Sequence, residues 1–461
     1  MEHLEQKLDR MLSTEQFAFK ELKNMFLTLT LDQFFIFSIG MLSTAMVSSV
    51  GEVAIAAVSL VGTLNGMVSL MFTSLASGGA IMVARAKGSG EADQMRSAIG
   101  EVTGLCCAVA FTLGVLLYAG ADLIVNALYP GVEKELIKYA VQYMRLMSIS
   151  FVPYSIFNAI FNIFRNLGDT RSSLVLTVVI NVAHLLLSLL FINGLGMGVK
   201  GSGLSFIIAR ILGMVLALFW LLRIHNDYSV KPQHFFRFKP AVFKKVLSLG
   251  TPVAMESMLL QGGMLLVQIY LAKLTTTDIA AHAVANSIFQ LYGTTSGALL
   301  AVTSTVCGQC YGAKRYDLMR KYCFNLIRVG RFIMLLTIVV LYPLTPLFMK
   351  LYKATEQGRP IVMTALSIGV AGYPILWCDS YLPAMVMRVA GDGTFTGIVS
   401  VASLALSRCA LGYALAIPLG FGVSGIWIAL IVEWILRAIA LHLRFRKDRW
   451  LHLRDNVLQS L

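Results

Sequence analysis

The chain has 461 residues, 57% of them hydrophobic and 13% charged, against about 45–50% apolar and roughly 25% charged in a soluble domain. That apolar content fills about a dozen helices of roughly 20 residues each, which excludes a soluble enzyme and a single-span receptor. The net charge of +14 would suggest a nucleic-acid partner in a soluble protein; in a multi-span chain it is read loop by loop, and no nucleic-acid partner is expected.

In chain order, residues 1–24 form a polar, amphipathic N-terminus without the apolar core and cleavage site of a removable signal peptide. Hydropathy then predicts twelve transmembrane helices, at 25–48, 53–80, 97–122, 136–163, 172–193, 200–222, 246–270, 279–307, 320–347, 361–387, 395–417 and 424–443. Breakers fall between spans, as at Tyr129-Pro130-Gly131, Asn193-Gly194 and Lys231-Pro232. The N-terminal tail, the even-numbered loops and the C-terminal tail carry 25 of the 38 lysines and arginines, whereas the odd-numbered loops carry seven. Positive charge is retained on the cytoplasmic side, so both termini are expected in the cytoplasm of a cell with a multi-pass plasma-membrane protein, the bacterial inner membrane.

The two halves repeat with a shift of 224 residues. Phe19-Lys20 matches Phe243-Lys244, and Ile55-Ala56-Ala57 matches Ile279-Ala280-Ala281. Gly88, Asp93, Met95 and Arg96 match Gly312, Asp317, Met319 and Arg320. At a shift of 223, Arg165, Gly168 and Asp169 match Arg388, Gly391 and Asp392. At 224 again, Gly196-x-Gly198-Val199-x-Gly201 matches Gly420-x-Gly422-Val423-x-Gly425. Six spans is an even number, so both copies enter the membrane in the same sense. The predicted fold is therefore all-α and integral to the membrane, with two six-helix lobes related by a parallel repeat, the kind that usually holds its substrate between the halves. The expected lobes are 25–222 and 246–443, joined by a basic cytoplasmic linker at 223–245 and followed by a cytoplasmic tail at 444–461.

These repeated motifs resemble those of the multidrug and toxic compound extrusion (MATE) family over nearly the whole chain. Val306-Cys307-Gly308-Gln309-Cys310-Tyr311-Gly312-Ala313-Lys314 is similar to the family's GQNxGA loop, with Cys310 in place of Asn. Phe164-Arg165-Asn166-Leu167-Gly168-Asp169-Thr170 resembles its turn after the fourth helix. The resemblance implies a two-lobed antiporter that exports organic, often cationic, compounds against a proton or sodium gradient and uses no other cofactor. Two departures stand out: Thr28 occupies the place of a common helix-one proline, and Ser43 that of a common helix-one aspartate.

Ionisable groups inside a bilayer cost about 2.5–3.5 kcal/mol at a helix centre on insertion scales, so those present usually have a job. Asp32 in span one and Glu256 in span seven occupy matching repeat positions, each about one turn past the start of its apolar core. Burial there favours the neutral acid, the condition for reversible protonation and proton-coupled exchange; the competing reading pairs each acid with a base or a helix end. Asp379 in span ten is the third ion-coupling candidate, and Glu101 and Glu433 read as solvated or paired. Asn181 matches a family asparagine in span five, and His184 follows one turn later. His282, Gln33, Asn158, Gln261 and Gln290 complete the candidate lining of a substrate cavity. Arg145, Arg210, Arg328, Arg331, Arg408 and Arg437 lie inside spans, where they snorkel or pair with acids, an anionic headgroup site being the sharper reading. The Arg-x-x-Gly-Asp turns read as helix ends in which Arg snorkels, Gly turns and Asp caps the next helix.

The seven cysteines are odd in number and largely within apolar runs, so no disulfide framework is expected; Cys307-x-x-Cys310 lacks a second pair or a nearby histidine, and no metal site is assigned. The 22 methionines and 26 phenylalanines fit a polyspecific pocket. No Gly-x-x-x-x-Gly-Lys-Ser/Thr phosphate loop, H-E-x-x-H or G-x-S-x-G occurs, so no common ATPase, protease or esterase motif competes and the chain is not read as an enzyme. The competing function is a flippase for lipid-linked saccharides on the same architecture, which would need cavity Arg or Lys for pyrophosphate.

Overall fold

A computed structural model describes residues 17–47, 52–128, 134–224, 230–236, 240–352, 355–446 and Trp450. The first sixteen residues, Tyr129-Pro130-Gly131, and the tail apart from Trp450 beyond Arg446 lie outside the described residues, and so does the side chain of Ser43. Twelve helical rods follow in chain order. They are α1 (Phe19–Val47), α2 (Glu52–Gly88), α3 (Ala92–Ala119), α4 in two parts (Lys134–Ile149 and Phe151–Leu167), α5 (Thr170–Ser188) and α6 (Gly198–Phe219). The second set is α7 (Pro240–Leu271), α8 (Thr276–Gly312), α9 (Tyr316–Leu341), α10 in two parts (Gly358–Gly372 and Cys378–Ala390), α11 (Gly393–Leu404) and α12 (Gly422–Arg446). Nine of the described helices are long and apolar enough to cross a membrane, and ten when the two parts of α4, bent by 45°, count as one. The remaining two rods are α1 and α8.

The chain divides into two compact units, one of residues 31–254 and one of residues 1–30 with 255–461. Each has the same neighbour pattern. In the first, α2 packs on α3 and both parts of α4, and α5 on α6; in the second, α8 packs on α9 and both parts of α10, and α11 on α12. The first unit's core is built from Leu75, Val83, Ile99, Val102, Ile160, Ile163 and Phe164, with a second cluster around Phe72, Met147 and Phe151. A short 3-10 turn, Pro232–Phe236, lies on α3, because Gly100 and Gly104 leave no Cβ in the way: one would stand 2.4 Å from the His234 carbonyl oxygen and 2.7 Å from that of Phe235.

The repeated glycines have a common geometric cause. Gly196, Gly198, Gly420 and Gly422 all have positive φ (63°, 56°, 72° and 54°), a region in which a Cβ is strained. At Gly201 and Gly425 a Cβ would come 2.9 Å from backbone atoms, the Phe191 carbonyl oxygen and the Ala416 nitrogen respectively. The turn after α4 and its copy after α10 are Schellman ends. Gly168 (φ 88°) and Gly391 (φ 103°) donate to the carbonyls of Arg165 and Arg388, while Asp169 and Asp392 donate to those of Phe164 and Met387. Here one expectation fails. Asp169 does cap α5, accepting from Ser172 N at 3.2 Å, but Asp392 makes no cap and accepts instead from Arg444 Nε at 3.1 Å.

Gly201→Ala and Gly425→Ala are each expected to cost about 1–3 kcal/mol through overpacking. Thermal unfolding of the detergent-solubilised protein, followed by tryptophan emission, checks this: both variants melt lower, whereas Gly62→Ala, with open space around its Cβ, does not.

Candidate functional site

Each unit buries one acid from its first helix next to one arginine from the end of its fourth. In the C-terminal unit Glu256 on α7 is 4% exposed. Both its oxygens accept from Arg388 Nη2, at 2.5 and 2.6 Å, and Arg437 Nη2 on α12 stands 3.6 Å away. Arg388 is steadied by its Nε, which donates to Thr396 Oγ1 at 3.2 Å. In the N-terminal unit Asp32 on α1 is fully buried, with the charge of Arg165 facing it and Thr177 of α5 alongside. The difference lies in contact: neither carboxylate oxygen of Asp32 has a hydrogen-bond partner. Arg165 also lies over the Phe161 ring, 5.2 Å from its centroid.

This corrects the reading of the two turn arginines as snorkelling residues. The Schellman end turns the chain just past Arg388, and its side chain runs inward, 16% exposed, to the acid of the first helix. A buried carboxylate recovers more from an ionic partner than Arg gains from the headgroup region.

Asp379 on α10 is 14% exposed and pairs with Arg331 Nη2 at 2.5 Å, with His442 Nε2 of α12 at 3.8 Å. Asp379 and Glu256 thus hold different guanidiniums. Glu433, 2% exposed, pairs with Arg408 at 2.5 Å, and Glu101 accepts from Ser97 Oγ at 2.6 Å. Arg145 meets Asp122 at 2.5 Å. Arg210 donates to Ser150 Oγ and sits 4.3 Å from the Tyr154 ring centroid.

The other candidates scatter. Asn158 is buried, and its carbonyl and side-chain oxygens accept from Asn162 Nδ2 at 2.9 and 3.4 Å; Asn166 repeats the backbone contact with Asn162 at 3.0 Å. His184 is buried with its ring 4.1 Å from that of Phe206, while Asn181 is half-buried. Gln33 and His282 are half-buried, His282 6.2 Å from the Trp427 ring, and Gln261 and Gln290 are exposed. Sequence reasoning missed Asn162, Asn166 and the aromatic rail of α10, in which Trp377 stacks on Tyr381 at 4.7 Å and stands tilted to Tyr373 at 6.0 Å. All lie at i, i+4 spacing, so a search for repeated polar or aromatic residues on one face would have found them. Cys307 and Cys310 are buried free thiols, and among the described residues no group of three or more His, Cys, Asp or Glu could hold a metal ion.

The family model for MatE matches residues 29–190 and 252–414. The transporter YisQ of Bacillus subtilis is 22% identical over 426 residues, covering 89% of this chain and 90% of its own. A probable multidrug resistance protein, NorM of Thermotoga maritima, is 22% identical over 89% of this chain and 88% of its own. Among solved structures, a MATE protein in complex with MaL6 superposes with a TM-score of 0.86 at 18% identity, over 94% of this chain and 96% of its own. A MOP-superfamily transporter of Pyrococcus furiosus, described as having a binding pocket of reverse polarity that suggests a different function, shares the fold at a TM-score of 0.83 and 18% identity, over 94% and 96%.

Removing one member of a buried ion pair strands the other, at about 3–5 kcal/mol. Glu256→Gln and Arg388→Gln should therefore each lower the thermal midpoint strongly. The double variant should lose less than the sum of the two, a coupling that a double-mutant thermal cycle reads directly.

Proposed function

Because the chain belongs to the MatE family of multi-pass membrane transporters, we propose that it is a secondary antiporter that exports small organic cations in exchange for protons or sodium ions by alternating access. The observation that carries this reading is Asp32, a fully buried carboxylate with no hydrogen-bond partner on either oxygen. An ionised carboxylate taken out of water costs several kcal/mol unless a partner meets it; here the charge of Arg165 and the hydroxyl of Thr177 stand near, neither in a well-aligned hydrogen bond to the acid. A proton, a sodium ion or a cationic substrate each relieves the cost, and each excludes the others. Exchange at one acid is antiport, and the expense of the bare acid opposes uncoupled return.

Glu256 and Asp379 are the other candidates for the coupling ion, but arginine contacts at 2.5–2.6 Å already use their charge. Within this proposal they hold helices in register, and Asp32 exchanges. Asn158, Asn181, His184 and Gln33 lie in the same unit as Asp32 and supply polar contacts there, while Gln261, His282 and Gln290 belong to the other. The bias of basic residues supports placement in the plasma membrane with both termini in the cytoplasm. The multidrug names of relatives support a drug-like organic substrate, and the buried acid Asp32 favours a cationic one.

Reconstituted into liposomes, the protein should accumulate ethidium under an imposed proton or sodium gradient, and Asp32→Asn should reduce that uptake at least tenfold while remaining in the membrane. Uptake indifferent to both gradients overturns antiport. Gradient-independent movement of a lipid-linked saccharide would favour the flippase instead.

A further inference from the structure

Five of the six arginines that the sequence places inside spans have partners. Arg145, Arg331, Arg408 and Arg437 face Asp122, Asp379, Glu433 and Glu256, and Arg210 donates to Ser150. Arg328 on α9 is the sixth. It is exposed, and among the described residues it has no hydrogen bond, ion pair or ring contact.

Its neighbours along the helix form a lane. Lys321, Phe324, Arg328, Phe332, Leu335 and Val339 follow one another at spacings of three and four residues, which puts them on one face of α9. All six are exposed, the apolar ones from 43% at Phe324 to 61% at Val339. Lys321 also has no ion pair or hydrogen bond among the described residues. Both charges therefore stand toward the N-terminal end of the lane, and only apolar side chains follow Arg328. Lys321 and Arg328 are about 10.5 Å apart along the axis, and helical side chains lean toward the N-terminus, which carries the guanidinium toward the ammonium. From Arg328 to Val339 the axis advances about 16 Å, close to half of the roughly 30 Å hydrocarbon core. The helix belongs to the long apolar stretch Tyr316–Lys350, so the lane is one leaflet deep with its cations at the headgroup end.

The repeat supplies a second observation. At the shift of 224, Lys321, Phe324 and Arg328 correspond to Ser97, Gly100 and Gly104 on α3. That face of α3 is covered by the Pro232–Phe236 turn, which approaches closely only because the two glycines lack a Cβ. On α9 a phenylalanine and an arginine stand in their place, and the face is exposed.

We propose that this lane is a site for one anionic phospholipid, its phosphate held by Lys321 and Arg328 and an acyl chain lying along Phe332, Leu335 and Val339. The two cations give a phosphodiester counter-charge and donors at the edge of an apolar setting. The competing occupant is the chain beyond Trp450, because Phe445 packs against both Phe324, at 5.7 Å, and Trp450, at 4.7 Å. A peptide lying at the depth of Leu335 and Val339 would leave backbone N–H and C=O groups unmet, whereas an acyl chain has none to meet. The site is independent of the coupling ion and of the exported compound.

The purified full-length protein in detergent is titrated with dioleoylphosphatidylglycerol and, separately, with dioleoylphosphatidylcholine, and bound lipid is counted by native mass spectrometry. One phosphatidylglycerol is expected to bind at least fivefold more tightly than phosphatidylcholine. Arg328→Gln and Lys321→Gln should each weaken it about fivefold (about 1 kcal/mol). Arg359→Gln, which removes an exposed arginine away from the lane, should not. The substituted side chains are all exposed, so the variants keep their fold. Equal affinity for the two lipids, full binding in Arg328→Gln or Lys321→Gln, or an equal loss in Arg359→Gln overturns the proposal. Glycerol phosphate distinguishes a lipid from free phosphate: displacement of phosphatidylglycerol only at far higher concentration supports the lane, and displacement at the same concentration as the whole lipid overturns it. Binding seen only in a chain ending at Trp450 assigns the face to the tail and overturns it too.

Discussion

A charge within an apolar mass must be met, and the helices of this protein are arranged around how each is met. In both units the first helix brings an acid inward and the fourth ends on an arginine that turns toward it. The C-terminal pair closes, with Glu256 and Arg388 in direct contact at 2.5–2.6 Å. The N-terminal pair stays open, with Arg165 near Asp32 but neither carboxylate oxygen hydrogen-bonded. The same repeat thus yields a stable tie in one lobe and an available acid in the other. A closed pair is not open to a cationic ligand, which would have to displace a guanidinium in a low-dielectric setting.

Much of this architecture was legible in the residues. Apolar runs of about 20 residues located the twelve rods, and the paired motifs located the repeat. The glycines of Gly-x-Gly-Val-x-Gly were visible as a pattern, and their cause is steric: two positive-φ positions and one closely approached backbone in each copy. Asp32 and Glu256 were also visible as repeat equivalents. Their different fates were not. Whether an arginine at a helix end snorkels or turns inward depends on which side chain waits across the bundle, and spacing along one strand of sequence carries no record of that. Asp392 shows the same limit: its motif matches that of Asp169, yet Arg444 on α12 offers a charged partner, which wins over a backbone cap.

The polar residues also differ in kind from a sequence list of candidates. Asn158 is committed to Asn162 through both its oxygens, so its polarity serves the helix face as well as any ligand. His184 packs its ring on Phe206. Arg437 attracted no more notice in the sequence than five other in-span arginines. It differs because Glu256 has already been taken by a neighbour. Charge balance in a buried cluster is a property of the set, and it emerges only when the set is assembled.

The π turns of the fifth rod of each repeat bear on how such a chain tolerates length change. From Gly168 to Gly196 the first copy spans 29 residues, and from Gly391 to Gly420 the second spans 30. Both copies interrupt the α-helical pattern on the way, by a six-residue π turn at Leu189–Gly194 and a seven-residue one at Ala405–Leu411. A π turn closes with one residue more than an α turn, so an inserted residue bulges locally and the helix beyond it keeps its facing. The repeats could therefore drift apart by single-residue insertion without rotating either glycine loop out of place.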